Sequence, residues 1–229
     1  MKKRHILVLV LILIIVACGA FIVFASGDGE IIGENELGSV DRVNLTHSSD
    51  PQVKIGIVSG MHSREKLHQF AIPMACWLFT LNHDADVINY RVNVTKDPED
   101  FNKGRANGES LVHDYVVSDV NKSDLDLVII GHDHEDGYGE GYYIATPTMD
   151  DSSVELAEIV TSEIGFNHYT RNKSAPTQST SILEVDTPIV DTGSRVFVYE
   201  IPENDGRESA LRHTYQLLES SYNHLIEEE

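Results

Sequence analysis

The run Val53–Leu81, VKIGIVSGMHSREKLHQFAIPMACWLFTL, limits what this chain can become more than any other stretch. It opens on the β-branched residues Val53, Ile55, Ile57 and Val58 and halts at Ser59-Gly60. Its apolar residues then fall at Leu67, Phe70, Ala71, Met74 and Leu78. A short apolar run of this kind is a buried strand, and apolar residues three and four apart mark one face of a helix. Two later runs share the strand character: Leu125–Ile130, ahead of Gly131-His132-Asp133-His134-Glu135, and Arg195–Ile201, ahead of a helical segment at Glu208–Ile226. With Val87–Val94 as a further strand and helices at Glu109–Val120 and Asp151–Ile164, strands alternate with helices. The expected fold class is α/β, a mostly parallel mixed sheet flanked by helices on both faces. Lys96–Asn107 reads as a loop and Asn172–Thr180 as an exposed polar stretch.

Of the 229 residues, the first 25 read as a basic flank, MKKRH, followed by ILVLVLILIIVACGAFIVFA. Such an uncharged run is long enough to span a bilayer, so residues 1–25 are expected to be a transmembrane signal anchor. Lys2, Lys3 and Arg4 would keep that end cytoplasmic and place the rest outside the cell membrane. Cleavage after Ala25 would instead give a secreted protein, and Ile15–Gly19 resembles a lipobox around Cys18. Residues 26–51, rich in Gly, Asp, Glu and Ser, are expected to be a flexible acidic tether, and residues 52–229 a single domain. A net charge of −20 makes nucleic acid an excluded partner. Cys76 is the only cysteine beyond the leader, so no disulfide forms within the domain. Sequons at Asn44, Asn93, Asn121 and Asn172 suit an exported chain.

H-x-x-E occurs at His62/Glu65, His132/Glu135 and His224/Glu227, so the tetrad alone carries little weight. The first is singled out by its strand–turn–helix setting, where open α/β sheets place their sites. On the first turn of a helix, His62 and Glu65 would face one ion together. Catalytic zinc takes three protein ligands and leaves a fourth position to water, from which a free carboxylate can take a proton. The chain offers His62, Glu65 and a later histidine as metal ligands, with a strand-end glutamate as base.

The order and surroundings of these residues resemble the zinc carboxypeptidase family, nearest its succinylglutamate desuccinylase and aspartoacylase branch. GMHSRE resembles the H-x-x-E element, and Asp100-Phe101-Asn102-Lys103 the D-L-N-R-x-F element. Asp126–His132 resembles the strand carrying the third ligand, and Arg195–Glu200 the strand ending in the catalytic glutamate. The resemblance implies one Zn²⁺ on His62, Glu65 and His132, with Glu200 as general base. Asn102, Lys103 and Arg105 would hold a free carboxylate on a peptide or acyl-amino-acid substrate. Lys103 stands where the family has an arginine, so a two-pronged grip is lost there. Ile130 stands where the family has an aspartate that would support the metal site from behind.

Two choices stay open in the sequence. Strand register favours His132 over His134 as third ligand, and the stronger strand favours Glu200 over Glu184 as base. The reading is a membrane-anchored, outward-facing zinc hydrolase of amide bonds, a carboxypeptidase acting on exported or cell-wall peptides. A deacylase of N-acyl amino acids on the same fold and a non-catalytic binding module are its rivals. So is a calcineurin-like phosphoesterase, since Gly131-His132-Asp133-His134 resembles that family's G-H-x-H, although Gly60 stands where the two-metal chemistry needs an aspartate.

Overall fold

The computed structural model describes residues 29–46, 49–172 and 179–227, with scattered residues between 5 and 19. Most of the expected anchor, and residues 173–178 of the polar stretch, lie outside the described residues. Among the described residues, no helix is long and apolar enough to cross a membrane.

In chain order the elements are β1 (Glu30–Asn35), β2 (Gly38–Asn44), β3 (Val53–Ser59), α1 (Leu67–Thr80), β4 (Ala85–Val94) and α2 (Phe101–Leu111). A π-helical turn, Val112–Val116, leads into α3 (Val117–Ser123), followed by β5 (Leu127–His134), β6 (Tyr143–Ala145), α4 (Asp151–Ile164) and β7 (Asn167–Tyr169). A second π-helical turn, Ile182–Asp186, precedes α5 (Thr187–Val190), β8 (Arg195–Pro202) and α6 (Arg207–Glu227). The strands form one sheet in the order β1-β2-β4-β3-β5-β8-β6-β7. Its centre, β4-β3-β5-β8, is parallel, while β1, β2 and β6 join antiparallel.

Alternation along the central strands feeds two cores. Ile55, Ile57, Leu127 and Ile129 pack to one side, with α1, α4 and α6. Val58, Val128 and Ile130 pack to the other, with α2, both π-helical turns, α3 and α5. The α/β sheet with helices on both faces is therefore as expected. β5 buries every one of its residues, including His132, Asp133 and His134. Polar groups in such a strand must find partners, and those partners build the site.

Three local expectations are corrected. Residues 30–44, read as part of a tether, form the β1–β2 hairpin, and β2 extends the sheet along β4 from Gly38↔Val94 to Asn44↔Ile88. Val40 and Val43 supply the apolar contacts that a composition count overlooks. The supposed loop Lys96–Asn107 contains α2, because the Asp100 carboxylate caps it by accepting from the N–H groups of Asn102 and Lys103. Gly104 and Gly108 had hidden that helix by their low propensity. Lastly, His62 and Glu65 are not on a helix but in the turn before α1, where the Glu65 N–H donates to the His62 carbonyl (3.2 Å).

Candidate metal centre

β3 stops at Gly60, whose φ is +82° and where a Cβ would lie 2.4 Å from the Val92 carbonyl oxygen. Only glycine fits that bend, and an aspartate there, as two-metal phosphoesterase chemistry requires, has no room. The bend delivers His62 and Glu65 above the end of the parallel sheet, beside the end of β5.

α1 begins at Leu67 because a residue of β5 caps it. Asp133 accepts from the N–H of Leu67 (2.6 Å) and of His68 (2.8 Å). His68, wholly buried, donates from Nδ1 toward Asp133 (3.2 Å) and accepts at Nε2 from the Gly60 N–H (2.9 Å). One imidazole thus ties the strand-end bend to the helix start.

Glu65 is the hub. His62 Nδ1 donates to its Oε1 (2.8 Å), and His132 Nδ1 donates to its Oε2 (3.0 Å). The two rings lie 4.3 Å apart between centroids. One ligand atom from each of His62, Glu65 and His132 falls within 4.8 Å of the others, the only such metal-sized grouping among the described residues. Burial alone would raise the Glu65 pKa, but His132 and His62 hold it well below the usual carboxylate range. For His62 burial acts downward, and the carboxylates of Glu109 and Glu65 more than reverse it. His62 Nε2 is buried with no hydrogen-bond partner, which suits a ring meant to give Nδ1 to an ion. A nitrogen–oxygen–nitrogen set of two His and one Glu matches the donors that catalytic zinc takes.

Glu200 sits on β8 directly across from His132 in the ladder. It lines a cavity of about 830 Å³ shared with His62, Glu65 and His132. Burial, helped by Glu65 and Asp133 and opposed by His132 and Arg105, lifts its pKa to about 7. A carboxylate at that value is matched to proton transfer near neutrality. Glu184 lies elsewhere, its side chain 56 % exposed beside His113 (3.6 Å). His134 faces the cavity, but its ring nitrogens meet the carbonyls of Gly141 (2.9 Å) and Glu135 (3.2 Å) rather than Glu65.

The three expected carboxylate-binding residues part company. Arg105 lines the cavity, with Nε donating to Glu109 Oε1 (3.0 Å) and Nη2 to Ser181 Oγ (2.9 Å). Lys103 is 63 % exposed and faces Asp100 (3.7 Å) and Asp97 (3.9 Å) outside the cavity lining. Asn102 is exposed on the first turn of α2.

Sequence reasoning missed Asp133, His68, Glu109 and Asp186. Asp133 carried a signal, a carboxylate inside the His-Asp-His run at a strand end. Glu109 and Asp186 carried none that spacing reveals. Asp186, on the second π-helical turn, lines the cavity 2 % exposed, and its pKa rises to about 8 through burial and through Glu109, with Arg105 opposing. π-Helical turns recur at functional sites.

Neither a protein-family model nor a curated protein matches the sequence. Solved structures do. A metallo-carboxypeptidase from Burkholderia cenocepacia aligns with a TM-score of 0.59 at 10 % identity, over 91 % of this chain and 67 % of that one. The metallo-carboxypeptidase from Pseudomonas aeruginosa, in complex with (2-guanidinoethylmercapto)succinic acid, aligns at 0.57 and 13 %, over 87 % and 66 %. The cell shape determinant protein Csd4 from Helicobacter pylori aligns at 0.55 and 12 %, over 82 % and 55 %. The chain thus spans about half to two-thirds of these proteins, and at such identities the likeness is one of architecture. The chain has the metallo-carboxypeptidase fold.

Proposed function

We propose that the protein is a zinc-dependent hydrolase of amide bonds, acting as a carboxypeptidase on peptides. The observation that carries this reading is the convergence of His62 Nδ1 and His132 Nδ1 on the two oxygens of Glu65, with Glu200 facing the same cavity. His62, Glu65 and His132 would hold the ion, which when bound supplies Lewis-acid polarisation of a carbonyl and acidification of water. Glu200, held near neutrality by its burial, takes a proton from the attacking water and returns it to the leaving amine. Arg105 is the cavity residue placed to meet a substrate carboxylate, through the part of its guanidinium not given to Glu109 and Ser181. Solved forms of Csd4 include one with a bound tripeptide, which supports a peptide as substrate.

We further propose that the leader anchors the protein in the cell membrane with the domain outside. Residues 8–12 are helical and leave about half of each apolar side chain exposed, as a segment not packed on the domain would. All four sequon asparagines are exposed. The deciding experiment is metal content together with hydrolysis of short peptides by the purified protein. Zinc with turnover supports the reading; a protein that takes no metal is a binding module instead.

A further inference from the structure

A carboxylate outside the ligand set stands behind His62. Gly108 on α2 has no Cβ, and one placed there would lie 1.7 Å from the Met61 carbonyl oxygen. The helix therefore rests directly on the backbone next to His62, and the following residue, Glu109, is 3 % exposed against the ring. Arg105 Nε (3.0 Å) and the Ser181 hydroxyl both donate to Glu109 Oε1, which fixes that oxygen. It lies 3.7 Å from His62 Nε2, beyond hydrogen-bond range, and Nε2 has no hydrogen-bond partner. A buried ring nitrogen without a hydrogen-bond partner, beside a fixed carboxylate oxygen, calls for an explanation.

The two ring nitrogens of a neutral imidazole divide the roles of donor and acceptor. A ring that gives its Nδ1 lone pair to an ion must carry its hydrogen on Nε2, and that hydrogen then points at Glu109. Ligating histidines generally donate their second N–H to a carboxylate or carbonyl, which sets tautomer and basicity. The strand position where the family resemblance implies such a carboxylate holds Ile130, wholly buried among apolar residues. A neighbouring helix supplies the charge instead.

We propose that Glu109 is a positioning residue of the metal centre, fixing the His62 tautomer by accepting a hydrogen from Nε2. The inference rests on His62, Glu65 and His132 being the metal ligands. Its rival is that Glu109 only balances Arg105.

Zinc affinity, by chelator competition on the full-length protein, separates the two through a double-mutant cycle. Glu109→Gln should weaken zinc roughly ten- to a hundredfold in wild type. In a His62→Ala background the same change should cost less than about twofold, because the ring it acts through is gone. Equal losses in both backgrounds, or no loss in wild type, overturn the proposal. Thermal melting of the metal-free variants verifies folding. Should E109Q fail to fold, E109D keeps the charge but withdraws the oxygen, and undiminished zinc affinity in it is equally fatal. Wild type that binds no zinc sinks the ligand assignment and this inference together; wild type that binds zinc without coupling sinks this inference alone.

Discussion

Asp133 and Glu65 hold each other in place. The Asp133 N–H donates to Glu65 Oε2 (3.0 Å), and the Asp133 carboxylate caps the helix that begins two residues after Glu65. Strand β5, turn and helix are thereby closed into one ring of hydrogen bonds around the Glu65 carboxylate. Asp133→Ala removes the cap and should cost about 1–2 kcal/mol, read as a lower denaturant midpoint at unchanged slope. Zinc affinity should fall as well, since Glu65 loses the frame that aims it. An unchanged midpoint would show that α1 is held by its packing alone.

The purified protein should carry about one zinc per chain, as one three-ligand site would hold. His62→Ala, Glu65→Ala and His132→Ala should each lose most of it, while His134→Ala should keep it. Elemental analysis decides. Loss on His134→Ala with retention on His132→Ala would move the third ligand by two residues.

Glu200→Gln keeps the size of the side chain and removes its proton acceptor. Zinc should stay, and peptide turnover should fall roughly a hundredfold or more. Glu184→Gln, at a surface position, should be mild. The reverse ranking would take the base away from β8.

On the proposed function, recognition of substrate charge falls to Arg105. Peptides ending in a free carboxylate should be cut faster than their C-terminal amides by roughly ten- to a hundredfold in kcat/KM, the value of about 1.5–3 kcal/mol for a charge-assisted contact. Arg105→Ala should erase that ratio. Lys103→Ala should leave it, because the Lys103 ammonium faces Asp97 and Asp100. Equal cleavage of acid and amide in wild type would end the carboxypeptidase reading.

Asp186 gives the fold a pH dependence of definite sign. Its folded pKa of about 8 lies well above the ordinary aspartate value of 3.8. The stability it contributes is fully present below about pH 4 and is lost as pH rises through 8. Glu200 acts with the same sign, but its loss is largely complete once pH passes about 7. Urea midpoints of the metal-free protein should therefore fall up to about pH 8 and level off above it, and Asp186→Asn should flatten the part of the fall between pH 7 and 8. A wild-type midpoint that is level across the window would mean Asp186 is already ionised.

The central strands were legible because burial on both faces leaves an unbroken apolar run, and the late helix because its apolar spacing is regular. His62, Glu65, His132 and Glu200 were singled out because they stand at or just beyond the ends of such strands, where polar residues break the run. The edges were less legible. β1 and β2 draw their order from pairing with β4, a neighbour far along the chain, so local composition reads as tether. α2 was masked by two glycines, one of which is there so that the helix can touch the His62 turn. Glu109 was out of reach for the same reason: its role depends on how closely two backbones approach, which no spacing in the sequence records.

If the leader anchors the chain as proposed, the β1–β2 hairpin has a mechanical consequence. β1 is an edge strand whose neighbour in the sheet is β2, and four strand intervals separate it from β5, about 19 Å across the sheet. A pull on the leader while the cavity grips its substrate loads the β1–β2 hydrogen bonds first. Peeling that one strand lengthens the connection before any strain reaches β3, β5 or β8. The hairpin would act as a yielding link, letting the chain lengthen under tension while His62, Glu65 and His132 keep their places.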